Sequence, residues 1–259
     1  MKHHRLFFQY QRLFTNSALT STLFKNETKR RIAITQKWIE SIVIGEKLCP
    51  FAPPVMTPVG GNINHNRKQG DHISKLRIHI SHATNHDDIV NEIYAEAKLL
   101  VGAIDCFGNS NSNHNVYREK YNRHNRPETT LVVLNEEQCP SLKDFRDLVH
   151  LSWRVQNEAI VENGFENDLQ IVLFHPLAKH ETYSESINDD DDDDAANYTI
   201  RSPFPIIHLL REKDVLKAVD SGYKDLEGLP SRNKAKLRKH GLDFCKQKFD
   251  ACFDLDSYD

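Results

Sequence analysis

The residues best suited to chemistry are concentrated in one segment, residues 197–212. Arginine forks can hold a phosphate or a carboxylate, and an asparagine side chain can donate a hydrogen bond to the same group. The segment therefore predicts a binding site for a small anionic molecule. The predicted ligand-binding residues are Asn197, Thr199, Arg201, Arg211 and Glu212.

Proton transfer requires a group that titrates near neutrality, and two histidines in this part of the chain provide one. We predict His175 and His208 as general acid and base, and Asp194 as the carboxylate that orients one of them. This combination favours an enzyme of the hydrolase or transferase class. The sequence has no Gly-x-Ser-x-Gly, P-loop or Gly-x-Gly-x-x-Gly pattern, so it identifies neither the reaction nor a cofactor.

Two other interpretations use the same residues. Arginines at a helix N-terminus can hold an anion without turnover, in a binding or structural protein. Alternatively, Cys49, His175 and His208 have the ligand chemistry of a zinc site. No closely spaced pair of ligand residues supports that site, so we assign no metal ligands.

The proline pattern predicts the local structure of this segment. Pro203 and Pro205 hold the chain extended, and a helix is expected to begin near Pro205. At about 100° per residue, one stripe of that helix would face a cleft. The stripe would contain His208, Arg211, Glu212, Val215 and Val219. We also expect Arg211 and Glu212 to pair with each other there.

Hydrophobic periodicity predicts alternating helices and strands elsewhere. The predicted helices cover residues 28–48, Asp87–Val101 and a segment from Ser141, its cap, to a stop at Gly164. The predicted strands are 76–81, 129–134 and 169–174, of which the second is central because it is apolar throughout. This pattern predicts the α/β class, with a small mainly parallel sheet of about three or more strands flanked by helices.

Ligands of such sheets bind beyond the carboxyl ends of the strands. The polar residues expected at those ends are His79, His82, Asn135, Glu136 and His175.

Composition predicts one domain over residues 28–253, with polar inserts at 60–74, 107–127 and 184–194 rich in asparagine or aspartate. A basic helix capped by Ser231 is expected to run to about Phe253, with a solvated face. The net charge of −3 gives no general attraction to nucleic acid. No apolar run approaches the roughly 20 residues of a membrane span, so we expect a soluble protein without a membrane partner.

The cysteines and the N-terminal residues indicate the cellular compartment in which the protein is expected. The chain has five cysteines without C-x-x-C spacing, which favours a reducing environment. Cys49 is predicted to be a buried structural residue near a helix C-terminus. Residues 1–26 are basic, rich in serine and threonine and free of acidic residues, which is typical of a transit peptide or a disordered tail. The expected location is mitochondrial or cytoplasmic.

Several blocks together resemble the domain-of-unknown-function family 1415, which is mostly bacterial. They are Leu48-Cys49-Pro50-Phe51, residues 128–131, Gln170 with Phe174-His175-Pro176, residues 193–199, Arg201-Ser202-Pro203 and residues 208–212. The family has no established activity, so the resemblance strengthens the position of the site and implies no reaction. Two departures stand out: Ile200 replaces the family's usual asparagine, and residues 177–183 lack its aromatic pattern. If that asparagine contacts substrate, the resemblance implies an altered or inactive member here.

Overall fold

A four-stranded mixed sheet forms the centre of the computed structural model, which describes residues 24–52, 56, 75–102, 126–180, 193–220 and 227–255. The strands are β1 (Leu76–Ile80), β2 (Thr129–Val133), β3 (Leu169–Phe174) and β4 (Ile206–Arg211). Their order is β1-β2-β4-β3, with β1 parallel to β2 and β4 antiparallel to both β2 and β3. Most of the predicted inserts, and residues 1–23 of the N-terminal segment, lie outside the described residues.

The predicted α/β class is confirmed, but the predicted mainly parallel sheet is wrong. The error lies in residues 206–211, which we expected to form a helix and which instead form β4 between β2 and β3. Ile206 and Ile207 are both fully buried, as the two sides of a central strand require, and β-branched residues favour that conformation. The predicted central position of β2 is confirmed, because all five of its residues are buried.

Because residues 206–211 form a strand, the predicted helical stripe does not exist. Successive strand residues point to opposite faces, so His208 and Arg211 lie on different sides of the sheet. The helix of this region, Glu212–Asp220, begins only where β4 ends. The predicted grouping of His208, Arg211 and Glu212 on one helix face is therefore wrong.

The helices form on both sides of the sheet. Helix α1 covers residues 24–38 and continues as a π-helix over Ile39–Ile44. Further helices are α2 (His86–Val101), α3 (Phe145–Arg154), α4 (Glu212–Asp220), α5 (Leu229–His240) and α6 (Leu242–Asp250). Helix α1 already includes residues 24–26, which composition had assigned to the N-terminal tail. No described helix is long and apolar enough to cross a membrane.

Capping residues and glycines explain where the helices end. Two of the predicted helix starts are wrong. Asp144, not Ser141, caps α3 by accepting a hydrogen bond from the Arg146 backbone N–H. Gly164 ends that helical region in a left-handed conformation, with φ of 72°, as expected. The predicted C-terminal helix is two helices, because the chain turns at Gly241, where φ is 90°. Helix α5 begins at Leu229 rather than at a Ser231 cap.

Two hydrophobic cores hold the sheet between these helices. On one face α2, α3 and the π-helix Val155–Ile160 that continues α3 cover Val132, Ile207 and Leu209. On the other face α1, α5 and α6 cover Val133 and Ile206. Each fully buried aliphatic side chain contributes roughly 1.5–3 kcal/mol relative to an exposed one, so both faces of β4 stabilise the fold.

Candidate functional site

The carboxyl ends of β1, β2 and β3 lie at the same end of the sheet, because β4 is antiparallel to both β2 and β3. This end, where the three strands finish, is called the edge below. Helix α1 runs along this edge. Thr28 contacts His82 after β1, Arg31 donates to the Leu134 carbonyl after β2, and Trp38 packs against Phe174 at the end of β3. The edge therefore collects side chains from distant parts of the chain.

Arg31 is the main residue of this edge that sequence reasoning missed. Its side chain is only 2% exposed. The guanidinium binds Glu27 Oε1 at 2.9 Å, Glu136 Oε2 at 3.1 Å and Asn135 Oδ1 at 3.2 Å, and it lies 4.4 Å from the centre of the Phe204 ring. The available signal was its position three and seven residues before the buried Ile34 and Trp38. Asn135 and Glu136 are therefore hydrogen-bond acceptors for the Arg31 side chain.

Arg201 lies at the same edge and is equally well paired. Its two terminal nitrogens bind the two oxygens of Asp193 at 2.6 and 2.7 Å, and Nε donates to the Ala178 carbonyl at 3.1 Å. The guanidinium also lies 4.9 Å from the centre of the Tyr198 ring. Burial alone would raise the pKa of Asp193, but hydrogen bonds from Arg201 and Asn197 lower it below its usual value. This carboxylate occupies the fork that we expected to hold an anionic ligand.

Asn197 and Thr199 bind the loop after β3. Asn197 Oδ1 accepts from the His180 backbone N–H at 2.8 Å, and Nδ2 donates to Asp193 at 3.0 Å. Thr199 donates to the Ala196 carbonyl and lies 2.8 Å from His180 Nε2, so that ring nitrogen is the donor. Burial, followed by the positive charge of Lys234, lowers the pKa of His180.

Asp194 has two intramolecular partners. One oxygen caps the 3-10 helix Ala195–Thr199 by accepting from the Ala196 backbone N–H at 2.9 Å. The carboxylate also forms an ion pair with Arg238 of α5 at 2.6 Å, which lowers the pKa of Asp194. These bonds fasten the segment before β4 to α5.

His175 has both ring nitrogens bonded to the backbone. It is 1% exposed; Nδ1 accepts from the Leu177 N–H at 3.0 Å, so Nε2 donates to the Leu142 carbonyl at 2.9 Å. Burial lowers the pKa of His175, in keeping with a neutral ring. In this geometry the imidazole connects the ends of two loops and has no nitrogen free for a substrate.

His208 lies inside the sheet, away from that edge. Its Nε2 is 2.6 Å from Thr129 Oγ1, and the Thr129 hydroxyl donates to the Leu209 carbonyl at 2.8 Å. Nε2 therefore carries the proton and donates to Thr129. Burial lowers the pKa of His208 to about 4, so the ring is neutral at pH 7.

Arg211 and Glu212 lie at the opposite edge of the sheet. The six residues of β4 span about 20 Å at roughly 3.3 Å per residue, which separates them from Arg201. Arg211 forms an ion pair with Asp214, and Glu212 accepts a hydrogen bond from Gln170. The predicted Arg211–Glu212 pair is therefore wrong, and the predicted ligand-binding set is divided between two edges.

Two other predicted positions differ from expectation. His79 lies within β1 rather than beyond it, and it contacts Glu92 at 3.2 Å and Glu96 at 3.5 Å on α2. Cys49 is partly exposed as a residue, although burial of its thiol raises the pKa. Hydrogen bonds from the backbones of Phe51 and Ala52 oppose that rise.

An open groove remains beside His82, at the end of β1. It has a volume of about 470 Å³ and is lined by Phe24, Lys25, Thr28, Lys29 and His82. His82 Nε2 lies 3.2 Å from Thr28 Oγ1, and the Phe24 ring meets the imidazole edge to face at 6.1 Å. Among the described residues, neither lysine of the groove forms an ion pair of 4.0 Å or less. The groove thus combines an imidazole with two lysines that have no ion-pair partner among the described residues.

The fold defines a mixed α/β protein with polar residues gathered at one sheet edge. The chain belongs to the protein family of unknown function DUF1415, whose model matches residues 30–105 and 111–247. No curated protein and no solved structure matches the chain. Within the described ranges, no group of three or more His, Cys, Asp or Glu residues is placed to hold a metal ion.

Proposed function

We propose that this protein is a hydrolase or transferase acting on a small molecule that carries a phosphate or carboxylate, and that this anion binds in the groove beside His82. One observation carries the proposal. Lys25 and Lys29 flank the Thr28–His82 pair in an open groove at the carboxyl end of β1. Ligands of α/β sheets bind at such ends.

Charge supports an anionic ligand. Lys25 and Lys29 are four residues apart on α1, and like charges at that spacing repel each other by a few tenths of a kcal/mol. A bound phosphate or carboxylate would offset this repulsion. The arginines of the same edge are less available, because Arg31 and Arg201 already bind carboxylates of the chain.

The chemistry would require the imidazole of His82 to transfer a proton. Histidine is the side chain best suited to this task near neutral pH, and the Thr28 hydroxyl fixes one ring nitrogen. In this proposal the predicted residues Asn197, Thr199, Arg201 and His175 position the loops of the edge and do not touch the ligand.

A non-catalytic anion-binding protein is the second candidate. It is favoured by the composition of the groove lining, which includes no carboxylate among the described residues. Turnover separates the candidates: a panel of phosphate monoesters is hydrolysed under the first proposal and only bound under the second. His82→Gln should lower kcat by about 100-fold or more if the imidazole is the general base.

Binding of inorganic phosphate tests the groove directly, by calorimetric titration of the full chain. The double variant Lys25→Gln/Lys29→Gln should weaken binding at least about tenfold, a loss of roughly 1.4 kcal/mol. Arg30→Gln is the matched control, because Arg30 is an exposed cation of the same helix outside the groove lining. Equal affinity in the double variant and the wild type would refute the proposed site.

A further inference from the structure

A second groove at the same edge is lined by Ser141, whose hydroxyl is paired with a histidine beside the groove. His86 is the first residue of α2, and Ser141 lies in the 3-10 helix Pro140–Lys143 that follows β2. His86 Nε2 and Ser141 Oγ are 2.9 Å apart. We infer that Ser141 is a nucleophilic serine, activated by His86, that accepts an acyl group from an uncharged ester.

The fold holds these two side chains in place from several directions. Asn85 caps α2 next to His86, by accepting from the Asp88 backbone N–H at 2.9 Å. The residue after the serine, Leu142, is fully buried, and its carbonyl accepts the hydrogen bond from His175. The thiol of Cys139 lies 3.5 Å from Ser141 Oγ. Ser141 is therefore exposed to a ligand while the backbone that carries it is anchored.

The adjacent groove indicates the class of substrate. It has a volume of about 420 Å³, and Ser141 is part of its lining, beside the apolar side chains of Pro140, Phe145 and Leu177. Its charges balance, because Lys143 and Asp147 have opposite signs and Asp144 is paired with Arg146 at 3.1 Å. An uncharged acyl group matches this surface better than the anion proposed for the groove beside His82.

The reaction needs only the ester and water. With His86 protonated on Nδ1, Nε2 takes the Ser141 proton as Oγ attacks the carbonyl carbon. The bond to the leaving alkoxide breaks, and the imidazolium donates its proton to that oxygen, which departs as an alcohol. Water then attacks the acyl-serine with His86 as base, and a carboxylic acid leaves as Ser141 regains its proton.

Covalent labelling tests this inference independently of the phosphate site. The full chain is treated with an alkyl fluorophosphonate, and intact-mass spectrometry with peptide mapping locates the adduct, whose mass is that of the reagent less hydrogen fluoride. We expect one adduct at Ser141, none in Ser141→Ala, and a labelling rate about 100-fold lower in His86→Gln, in line with the loss of a general base. Added phosphate should not slow the reaction.

Ser231 is the internal control, because it is also exposed and has no imidazole bonded to it among the described residues. Labelling of Ser141 no faster than of Ser231, or an unchanged rate in His86→Gln, would overturn the inference. Circular dichroism of each variant checks that it is folded. Turnover of p-nitrophenyl acetate, which releases p-nitrophenol on acyl transfer, should be lost in Ser141→Ala.

Discussion

Two parts of one sheet edge use similar residue types and differ in whether the charges have partners. Near the start of β4, Arg201 binds Asp193 through two hydrogen bonds and is 8% exposed. Near the end of β1, Lys25 and Lys29 face an open groove together with His82. The first region contains the residues that are most conspicuous in the sequence, whereas the second contains exposed lysines.

A cluster of reactive residue types is therefore not sufficient to define a ligand site. A buried guanidinium must be compensated, and the chain compensates Arg201 with its own carboxylate. Exposed lysines remain solvated and can exchange water for an external anion. We therefore expect substitutions of Arg201 to change mainly stability and, under the proposed function, substitutions of Lys25 and Lys29 to change mainly phosphate binding.

The largest effect is expected for Arg201→Ala. Removing the guanidinium leaves Asp193 without its main partner in a partly buried position, and we expect the free energy of unfolding to fall by about 3 kcal/mol. Urea denaturation measures the change. Arg238→Ala is the matched control, because its partner Asp194 is the next residue in sequence but the pair is more exposed, and exposed pairs contribute at most about 1 kcal/mol. Equal losses in the two variants would contradict the distinction between buried and exposed arginines.

The next effect concerns pH and His208. Burial lowers the pKa of this ring from 6.5 to about 4 in the folded chain. Between these values the unfolded state binds more protons, so the free energy of unfolding falls as the pH is lowered from about 6.5 to about 4. We expect the wild type to lose about 2 kcal/mol more than His208→Gln on moving from pH 7.5 to pH 4.5. Parallel pH profiles of the two proteins would show that His208 is not the buried neutral group described.

The smallest effect, and one of opposite sign, is expected for Lys29→Gln. Relief of the repulsion from Lys25 should raise the free energy of unfolding by about 0.3 kcal/mol while phosphate binding weakens. Thermal denaturation with and without phosphate measures both quantities in one experiment. A destabilised variant would indicate that Lys29 holds the fold together, in the manner of Arg201.

Elements with long or unambiguous patterns were predictable from the sequence. The strand Leu169–Phe174 and the helix stop at Gly164 agree with expectation, and the helix expected from Asp87 begins one residue earlier. Residues 206–211 were not predictable in the same way, because six apolar-rich residues fit a helix face and a buried strand equally well. The prolines before them favoured a helix start, and the partners that decide the question, β2 and β3, come from earlier parts of the chain.

The geometry of the site depended on pairings that no local pattern contains. Thr129 and His208 are 79 positions apart, and Arg31 reaches Asn135 across 104 positions. Sequence reasoning found that polar residues follow the strands, and it found Asn135, Glu136 and His175 at the correct edge. It did not reveal that these side chains bind the chain itself, because satisfaction of a polar group depends on distances that only the folded structure supplies.

The position of β4 has a consequence for synthesis of the chain on the ribosome. Among the described strands, β3 pairs with β4 alone, so it stays unpaired until a later segment is translated. Until residue 206 emerges, the nascent chain presents the apolar strand β2 with one unpaired edge, which is a template for aggregation. The last strand to be made closes the sheet, and a ribosome that stalls before it leaves a product that cannot complete its core.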